Sequence, residues 1–367
     1  MKREESSAAD APAASERDMA RGRGAREAWQ VPALSVDAFD YDLPAEAIAH
    51  DPIEPRRAAR LLVARRGAPV AHARVADLAR LLEPGDLVVV NESAVVPARL
   101  HLQRSSGGAV EVLLLRQLPD GTAEALVRPN RRVRAGERLL ADGVEVVEVG
   151  GALEAVEGMT IRAVRVLDPE RVASIGVAPL PPYLGRQDIP LERYQTVFAR
   201  RPGSVAAPTA GLHLDEVVLA DLAARGIDVV RIVLHVGLGT FWPVTAATLA
   251  GHPMHAESYE VDPATWARIE GAKRVVAIGT TVVRTLETVA LTGELAGESR
   301  LLIAPGFRLQ VVDTVLTNFH QPRSTLIALV AAMVGDRWRE LYSVALAEGY
   351  RFLSFGDAML VDVEGRR

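Results

Sequence analysis

Two patterns of hydrophobic and polar positions divide the chain. Residues 61–64 and 86–90, which are apolar except for Asp86, are typical of buried strands, because a strand covered on both faces needs no alternation. Between about residues 98 and 168, apolar residues instead fall on nearly every second position, as in 144–149 and 160–166. Short alternating strands separated by turn signals predict a small antiparallel barrel.

Strands and helices alternate again in the second half of the chain. Helices are expected near 215–225 and 263–271 and over about 324–333 and 336–348, with apolar strands at 227–234, 274–278 and 301–303. The predicted fold class is therefore α/β, with a mixed α/β main domain and an inserted small antiparallel β-barrel domain.

The predicted domain boundaries follow from these patterns. A discontinuous α/β catalytic domain covers residues 37–97 and 169–367, and the inserted barrel covers 98–168. Residues 1–36 are rich in Ala, Arg, Glu and Ser and carry few large apolar groups. Such a segment cannot bury enough surface to offset the entropy of ordering, so we predict a disordered N-terminal extension.

Composition excludes several kinds of chemistry. The chain has no cysteine, which excludes disulfides, thiolate metal sites and cysteine nucleophiles. The only lysines are Lys2 and Lys273, which excludes a Schiff-base mechanism, and His252 and His255 lack a third nearby ligand, so no metal site is expected. We see no secretory signal and no apolar stretch of roughly 18–20 residues, and therefore expect a cytoplasmic protein without membrane contact. The net charge of −5 does not exclude nucleic acid, because binding needs only a local basic face.

Five polar islands interrupt the apolar sequence of the second half. They cover residues 207–213, 235–241, 254–257, 278–281 and 317–324. Each combines Gly or Pro, or a short extended segment, with hydroxyl, amide or imidazole side chains. Such segments tend to converge at the ends of strands in an α/β sheet, where ligands bind. The islands therefore indicate an enzyme site.

Four histidines in the islands are candidates for proton transfer. His213, His235, His255 and His320 suit general acid–base chemistry, because imidazole titrates near neutral pH. Each could equally be a structural histidine that the backbone satisfies. Glu257 lies two residues after His255, on the same side of an extended segment, and could orient its imidazole or form a plain surface pair with it.

A strand, a tight turn and a helix start follow one another at residues 275–282. The free amides of a helix N-terminus, with the hydroxyls of Thr280 and Thr281, suit a carboxylate or a phosphate. The alternative is that one of these threonines only caps its own helix.

The densest basic cluster lies in the predicted barrel. It contains Arg128, Arg131, Arg132, Arg134 and Arg138. Guanidinium groups suit contacts to phosphate, and a solvated face is the alternative.

The islands and several flanking segments together resemble one known family. Residues 203–213, 235–241, 279–287, 317–320 and 350–360 resemble the S-adenosylmethionine:tRNA ribosyltransferase-isomerases of queuosine biosynthesis, as do residues 181–184, 192–199 and 254–255. The resemblance runs in order from about Phe39 to Val361. It implies an α/β domain that carries an inserted β-barrel.

The resemblance also implies a reaction. The ribosyl group of S-adenosylmethionine would be transferred and isomerised onto 7-aminomethyl-7-deazaguanine at the wobble position of tRNA, giving epoxyqueuosine-tRNA, methionine and adenine. S-adenosylmethionine would be a co-substrate, with no further cofactor. The expected partners are S-adenosylmethionine and tRNA with a deazaguanine wobble base, and we expect a monomer.

Candidate roles follow by residue. The proton carriers would be His213, His235, His255 and His320, with Glu257 as an orienting or basic carboxylate. Substrate contacts are expected from Thr209, Gly211, Gly237, Thr240, Gly279, Thr280, Thr281, Arg284, Asn318, Phe319 and Ser324. Contacts to RNA are expected from Arg128, Arg131, Arg132, Arg134 and Arg323. Phe319 could stack on a base or belong to the core.

Eight positions depart from the residues usual in this family. They are Arg57, Ala59, Glu92, Ala94, Trp242, Ala256, Gln321 and Arg323. Several of these changes remove a charge or a hydroxyl that could contact RNA or the deazaguanine. They leave open two other hypotheses: a paralogue that uses S-adenosylmethionine or a related nucleoside with a different acceptor, and a non-catalytic RNA-binding protein.

Overall fold

Two sheets of different construction organise the structure, which is a computed structural model. It describes residues 29–118, 120–156, 159–186, 188–237, 239 and 244–365. The strands of these residues are β1 (Arg60–Ala64), β2 (Ala71–Arg74), β3 (Leu87–Asn91), β4 (Ser93–Val95), β5 (Arg99–Arg104), β6 (Ala109–Gln117), β7 (Ala123–Arg128), β8 (Glu137–Ala141), β9 (Val144–Val156), β10 (Met159–Val166), β11 (Arg201–Ser204), β12 (Asp228–Leu234), β13 (Glu257–Glu260), β14 (Val275–Ile278), β15 (Ala296–Ser299), β16 (Thr314–Asn318) and β17 (Ala358–Asp362). Their helices are α1 (Leu78–Leu81), α2 (Pro169–Ile175), α3 (Glu216–Ala224), α4 (Pro263–Glu270), α5 (Thr280–Thr292), α6 (Thr325–Val334) and α7 (Arg337–Ala347).

The larger sheet is mixed and has nine strands in the order β15-β13-β12-β3-β14-β16-β17-β1-β2. Its centre is parallel, since β12, β3, β14 and β16 run in one direction. Every residue of β3, β14 and β16 is buried, which explains why these strands are apolar without alternation. Helices α1 and α3 pack with β1, β3 and β14 in one apolar core. The carboxyl ends of the central strands therefore meet at one edge.

The smaller sheet is a closed barrel of six strands in the order β10-β7-β6-β5-β8-β9. All of its pairings are antiparallel, and alternate residues such as Leu100 and Leu102 fill its interior. The alternation in the sequence arises from this one-sided burial. The predicted fold class is confirmed. The barrel strands lie within residues 98–168, while the division of the chain into domains stays a prediction.

One sequence-based expectation differs from the structure. The strand expected at 301–303 is wrong, because these residues form an irregular buried segment. The Leu301 carbonyl accepts a hydrogen bond from Arg284 Nε at 3.2 Å, and its amide donates to Ser299 Oγ at 3.3 Å. The backbone of Leu301 is therefore bonded to side chains instead of a neighbouring strand.

The N-terminal expectation falls mostly on residues 1–28, which lie outside the described residues. Further along the chain, the Val36 amide donates a hydrogen bond to Ala247 O, and the Leu34 carbonyl accepts one from the Leu249 amide. Among the described residues, no helix is long and apolar enough to cross a membrane.

Candidate active site

The polar islands converge at the carboxyl edge of the central strands, as expected. The described residues of the island at 235–241, which are 235–237 and 239, follow β12, the island at 278–281 follows β14, and β16 ends within the one at 317–324. They enclose what we call the first cavity. It is lined by Ala207, Pro208, Thr209, Ala210, Val236, Gly239, Gly279, Thr280, Thr281, Thr317, Asn318, Phe319, His320, Gln321, Ser324, Thr325 and Leu326, and by Tyr183, Leu353 and Ser354.

A second cavity adjoins the first and contains the remaining island. It is lined by Gly239, His252, Met254, His255, Glu257, Arg284, Leu301, Leu302, Ile303, Thr325, Leu326 and Leu329. Gly239, Thr325 and Leu326 belong to both cavities, so the two adjoin there. The two cavities are therefore neighbouring parts of one site.

The N-terminus of α5 opens into the first cavity. Gly279 adopts φ +93°, a conformation that favours glycine, and its amide donates to Leu316 O at 2.8 Å. Gly279 is the N-cap and offers no side chain to cap the helix, so the alternative that Thr280 or Thr281 is the capping residue is wrong. Thr281 Oγ1 is buried and has no hydrogen-bond partner among the residues that the structure describes. The first-turn amides and this hydroxyl remain available to an anionic ligand.

His320 stands on the wall of the first cavity in its neutral form. Its Nε2 lies 3.0 Å from Thr317 Oγ1, and burial lowers the pKa of its imidazole to about 3. Its carbonyl accepts from the Tyr41 hydroxyl at 2.6 Å, and its amide donates to the Tyr342 hydroxyl at 3.0 Å. The imidazole is thus held in place and can act as a neutral base or hydrogen-bond partner at pH 7.

His213 lies directly behind the first cavity. Its Nε2 is 3.1 Å from Asn318 Oδ1, and burial lowers the pKa of its imidazole to about 4. The Asn318 amide donates to Leu353 O at 3.0 Å and lies 3.5 Å from Thr209 Oγ1. His213 therefore reaches the first cavity through Asn318.

The structure separates His235 from the other three histidines. Its ring is half-buried against Gly203, where a methyl group placed on the glycine would lie 3.0 Å from two ring atoms. Burial and the nearby guanidinium of Arg201 lower the pKa of His235. His235 lines neither of the two cavities.

Glu257 and Arg284 form a buried ion pair in the second cavity. Glu257 Oε1 also accepts from the Gly237 amide at 2.9 Å, and Arg284 donates to the carbonyls of Leu301 and Ser299. Because Glu257 is buried, the alternative of a surface pair with His255 is wrong. Both carboxylate oxygens are engaged, which suits an orienting role for Glu257 better than that of a free base.

His255 lies beside Gly239 at the junction of the two cavities. A Cβ added to Gly239 would lie 3.0 Å from His255 Cγ and closer still to its Cδ2. Only glycine allows the backbone to pass this near the imidazole.

Four further residues were expected to contact substrate, and their outcomes differ. Phe319 has no exposed surface and stacks on Phe352 at 4.8 Å between ring centroids, so the core alternative holds. Gly211 packs against Phe198, and Ser324 accepts from the Ile327 amide at the start of α6 while lining the first cavity. Thr240 lies outside the described residues.

Comparison with known proteins agrees with this architecture. The profile of a family described as "Queuosine biosynthesis protein" matches residues 36–361. An S-adenosylmethionine:tRNA ribosyltransferase-isomerase of Thermus thermophilus is 48% identical over 347 residues, covering 89% of this chain and 99% of the relative. One of Moorella thermoacetica is 46% identical over 348 residues, covering 89% and 100%. The chain belongs to this family.

A solved member of the queuosine biosynthesis family has the same overall fold. The crystal structure of S-adenosylmethionine tRNA ribosyltransferase from Thermotoga maritima is 34% identical, with a TM-score of 0.51. The match covers 88% of this chain and 99% of that one.

Most departures from the usual family residues lie away from the cavities. Arg57 pairs with Asp215 at 2.7 Å, Ala59 is buried in the core, and Glu92 lies 3.7 Å from Arg231. Among the described departures, only Gln321 lines either cavity, and Trp242 lies outside the described residues.

The barrel arginines are exposed, and their partners differ. Arg138 pairs with Glu145 at 2.7 Å and with Glu148 at 3.5 Å. Arg131 and Arg132 stand on a short turn and form no ion pair with the part of the chain that the structure describes. Arg128 contacts Met159, and Arg134 is exposed. Arg323 lies apart from the barrel sequence, at the start of α6, and pairs with Asp37 at 3.0 Å.

Sequence reasoning missed a pair of hydroxyls in the first cavity. The Tyr183 hydroxyl and Ser354 Oγ are hydrogen-bonded, and burial raises the pKa of Tyr183 to about 12. Both residues lie in segments that resemble the family, which was the available signal. Among the described residues, no group of three or more His, Asp or Glu is arranged to hold a metal ion.

Proposed function

We propose that the chain transfers and isomerises the ribosyl group of S-adenosylmethionine onto 7-aminomethyl-7-deazaguanine at the tRNA wobble position. The products are epoxyqueuosine-tRNA, methionine and adenine. The observation that carries the proposal is the pair of adjoining cavities, built from the segments that the chain shares with its family. The departures support it too, because all the described ones except Gln321 lie outside these cavities.

The reaction requires proton transfer at two places. A ribose carbon next to the sulfonium must lose a proton, and adenine leaves more readily when it is hydrogen-bonded or protonated. His320 and His255 line the cavities and are the candidate proton carriers, and His213 supports the first cavity through Asn318. The position of His235 gives it no comparable access.

Substrate binding is assigned to the first cavity. The amides and hydroxyls of Thr280 and Thr281 suit the methionine carboxylate, because the positive end of α5 points there. Thr209 and Asn318 offer further polar groups on the same wall.

RNA binding is assigned to the exposed arginines of the barrel. Arg131 and Arg132 are the strongest candidates since no acidic side chain of the described chain neutralises them. Arg128, Arg134 and Arg323 are further candidates. The proposal includes a monomer in the cytoplasm, where its tRNA substrate is, using no cofactor besides the co-substrate S-adenosylmethionine.

Mass spectrometry of the anticodon nucleoside tests the proposed function. The chain is incubated with S-adenosylmethionine and a tRNA that carries 7-aminomethyl-7-deazaguanine, and a tRNA with guanine at the wobble position is the control. We expect a ribosyl mass gain and stoichiometric adenine with the first tRNA only. Adenine release without the mass gain would indicate a different acceptor. The absence of both signals would contradict the proposal.

Histidine variants test the assignment of the site. Substituting His255 or His320 by alanine should lower the rate of adenine release at least tenfold, since a positioned acid or base contributes about 10²–10⁴-fold. His235→Ala should retain most of the rate. Equal losses in all of these variants would contradict the assignment.

A further inference from the structure

The two cavities differ in chemical character, and the difference matches the two ends of S-adenosylmethionine. The first combines the N-terminus of α5, several hydroxyls and two side-chain amides with apolar residues such as Pro208 and Val236. Half of the residues that line the second are apolar (Met254, Leu301, Leu302, Ile303, Leu326 and Leu329), and its charged groups, Glu257 and Arg284, are paired with each other. Since S-adenosylmethionine joins a zwitterionic methionine to a flat neutral base, its ends need environments of these two kinds.

The charges of the second cavity favour a neutral occupant. Glu257 and Arg284 are both buried and are paired with each other, so they leave no net charge to an incoming ligand. A methionine end placed here would bring a carboxylate and an ammonium into an apolar space where the charged groups already have partners. Burying charges without partners is costly, whereas a purine ring carries no charge, and its edge can exchange water for hydrogen bonds with the protein.

One residue on the wall of the second cavity has backbone groups that the described chain leaves unpaired. Ile303 lies in the irregular segment after Leu301, and its backbone amide and carbonyl form no hydrogen bond within the described chain. The backbone groups of Leu301, two residues earlier, are both used. Backbone donors and acceptors are the groups that commonly fix the orientation of a ligand in an apolar pocket. A purine with an amino group next to a ring nitrogen presents the complementary pattern.

From these observations we infer that the second cavity is the subsite for the adenine of S-adenosylmethionine, with the base edge at the Ile303 backbone and its faces between Leu302 and Leu329. This inference rests on the proposed function. The ribose then crosses the junction at Gly239, where His255 lies, and the methionine reaches the N-terminus of α5.

Reciprocal variants of the two cavities test the subsite by calorimetry on the full chain. Leu329→Phe fills the second cavity and should weaken adenine binding at least tenfold while changing methionine binding less than twofold. Thr281→Val removes the unpaired hydroxyl from the first cavity and should have the opposite pattern. Unfolding curves of both variants confirm that each is folded. Weaker methionine or free 7-aminomethyl-7-deazaguanine binding in Leu329→Phe, with adenine unchanged, would overturn the assignment.

A second measurement needs no variant. In ¹⁵N-labelled protein, adenine should shift the Ile303 amide resonance and methionine should not. Purine, which lacks the amino group, should bind about fivefold to tenfold more weakly than adenine, as expected for one lost hydrogen bond. An Ile303 resonance unmoved by saturating adenine would overturn the subsite.

Binding of S-adenosylmethionine itself separates the two proposals. If the chain neither binds it nor releases adenine from it, the proposed function fails. If it does both, while Leu329→Phe binds adenine as tightly as the parent and adenine leaves the Ile303 amide resonance unmoved, only the subsite assignment fails.

Discussion

The guanidinium of Arg284 and the carboxylate of Glu257 form an ion pair whose side chains are only 10% and 3% exposed. Glu257 also accepts from the Gly237 amide at 2.9 Å. The pair thereby ties α5 to the start of β13 and, through the Gly237 amide, to the segment after β12. Because α5 supplies the amides of the first cavity, this contact fixes the two halves of the site relative to each other.

Removing the carboxylate from this pair should destabilise the protein strongly. Glu257→Ala leaves the guanidinium of Arg284 buried without its counter-charge, and we expect the free energy of unfolding to fall by about 3–5 kcal/mol. Urea denaturation measures the change. Glu260→Ala is a matched control on the same strand. Glu260 forms an ion pair with Arg201 at 2.8 Å, and both side chains are 52% exposed. It should cost less than about 1 kcal/mol, and equal losses would contradict the argument.

A methyl group at Gly239 should disrupt the junction between the cavities. In Gly239→Ala the new Cβ would collide with the His255 ring, so the imidazole must move. We expect the rate of adenine release to fall at least tenfold, since misplaced catalytic groups lose rate steeply. Gly237→Ala is the control, because the nearest atom to its Cβ is Glu257 Oε1 at 3.9 Å. Similar rates in the two variants would show that the junction is not critical.

How far the sequence predicted this site depended on the range of the interactions involved. The turn at Gly279 was predictable, since a strand, a glycine and a helix start are adjacent in the chain. Residues 301–303 were misassigned because a buried irregular segment has the same apolar pattern as a strand. Its actual conformation depends on Arg284, which lies 17 residues away.

The histidines make the same point for the chemistry. His235 and His320 have equivalent settings in the sequence, each in a polar island after a strand. Only their tertiary contacts distinguish them. His235 packs against Gly203, whereas the backbone of His320 is hydrogen-bonded to the Tyr41 and Tyr342 hydroxyls. Those contacts join residues from 22 to 279 positions apart, which no local pattern encodes.

The buried histidines should make the protein sensitive to mild acid. The pKa values of His213 and His320 are lowered to about 4 and about 3, so the folded protein keeps both neutral at pH 5. The unfolded chain takes up protons on them below its ordinary pKa of 6.5. Stability is therefore lost as the pH falls from 7 towards 4, by about 2 kcal/mol per histidine at pH 5.

Denaturation at pH 7 and pH 5 checks this dependence. His320→Gln removes one of the two groups and should flatten the profile by roughly 2 kcal/mol between these values. A variant profile that runs parallel to that of the parent would show that His320 does not titrate on unfolding in this range.

The barrel arginines should control the salt dependence of tRNA binding. Arg131 and Arg132 are exposed on the turn after β7, without an acidic partner in the described chain. Each phosphate contact adds about one unit to the slope of log K against log salt, so replacing both by alanine should reduce the slope by about two. Arg138→Ala is the control: its guanidinium is also exposed, at 53%, but Glu145 and Glu148 already neutralise it. If Arg138→Ala lowered the slope as much as the double variant, the tRNA would be responding to the overall charge of the barrel and not to these two guanidinium groups.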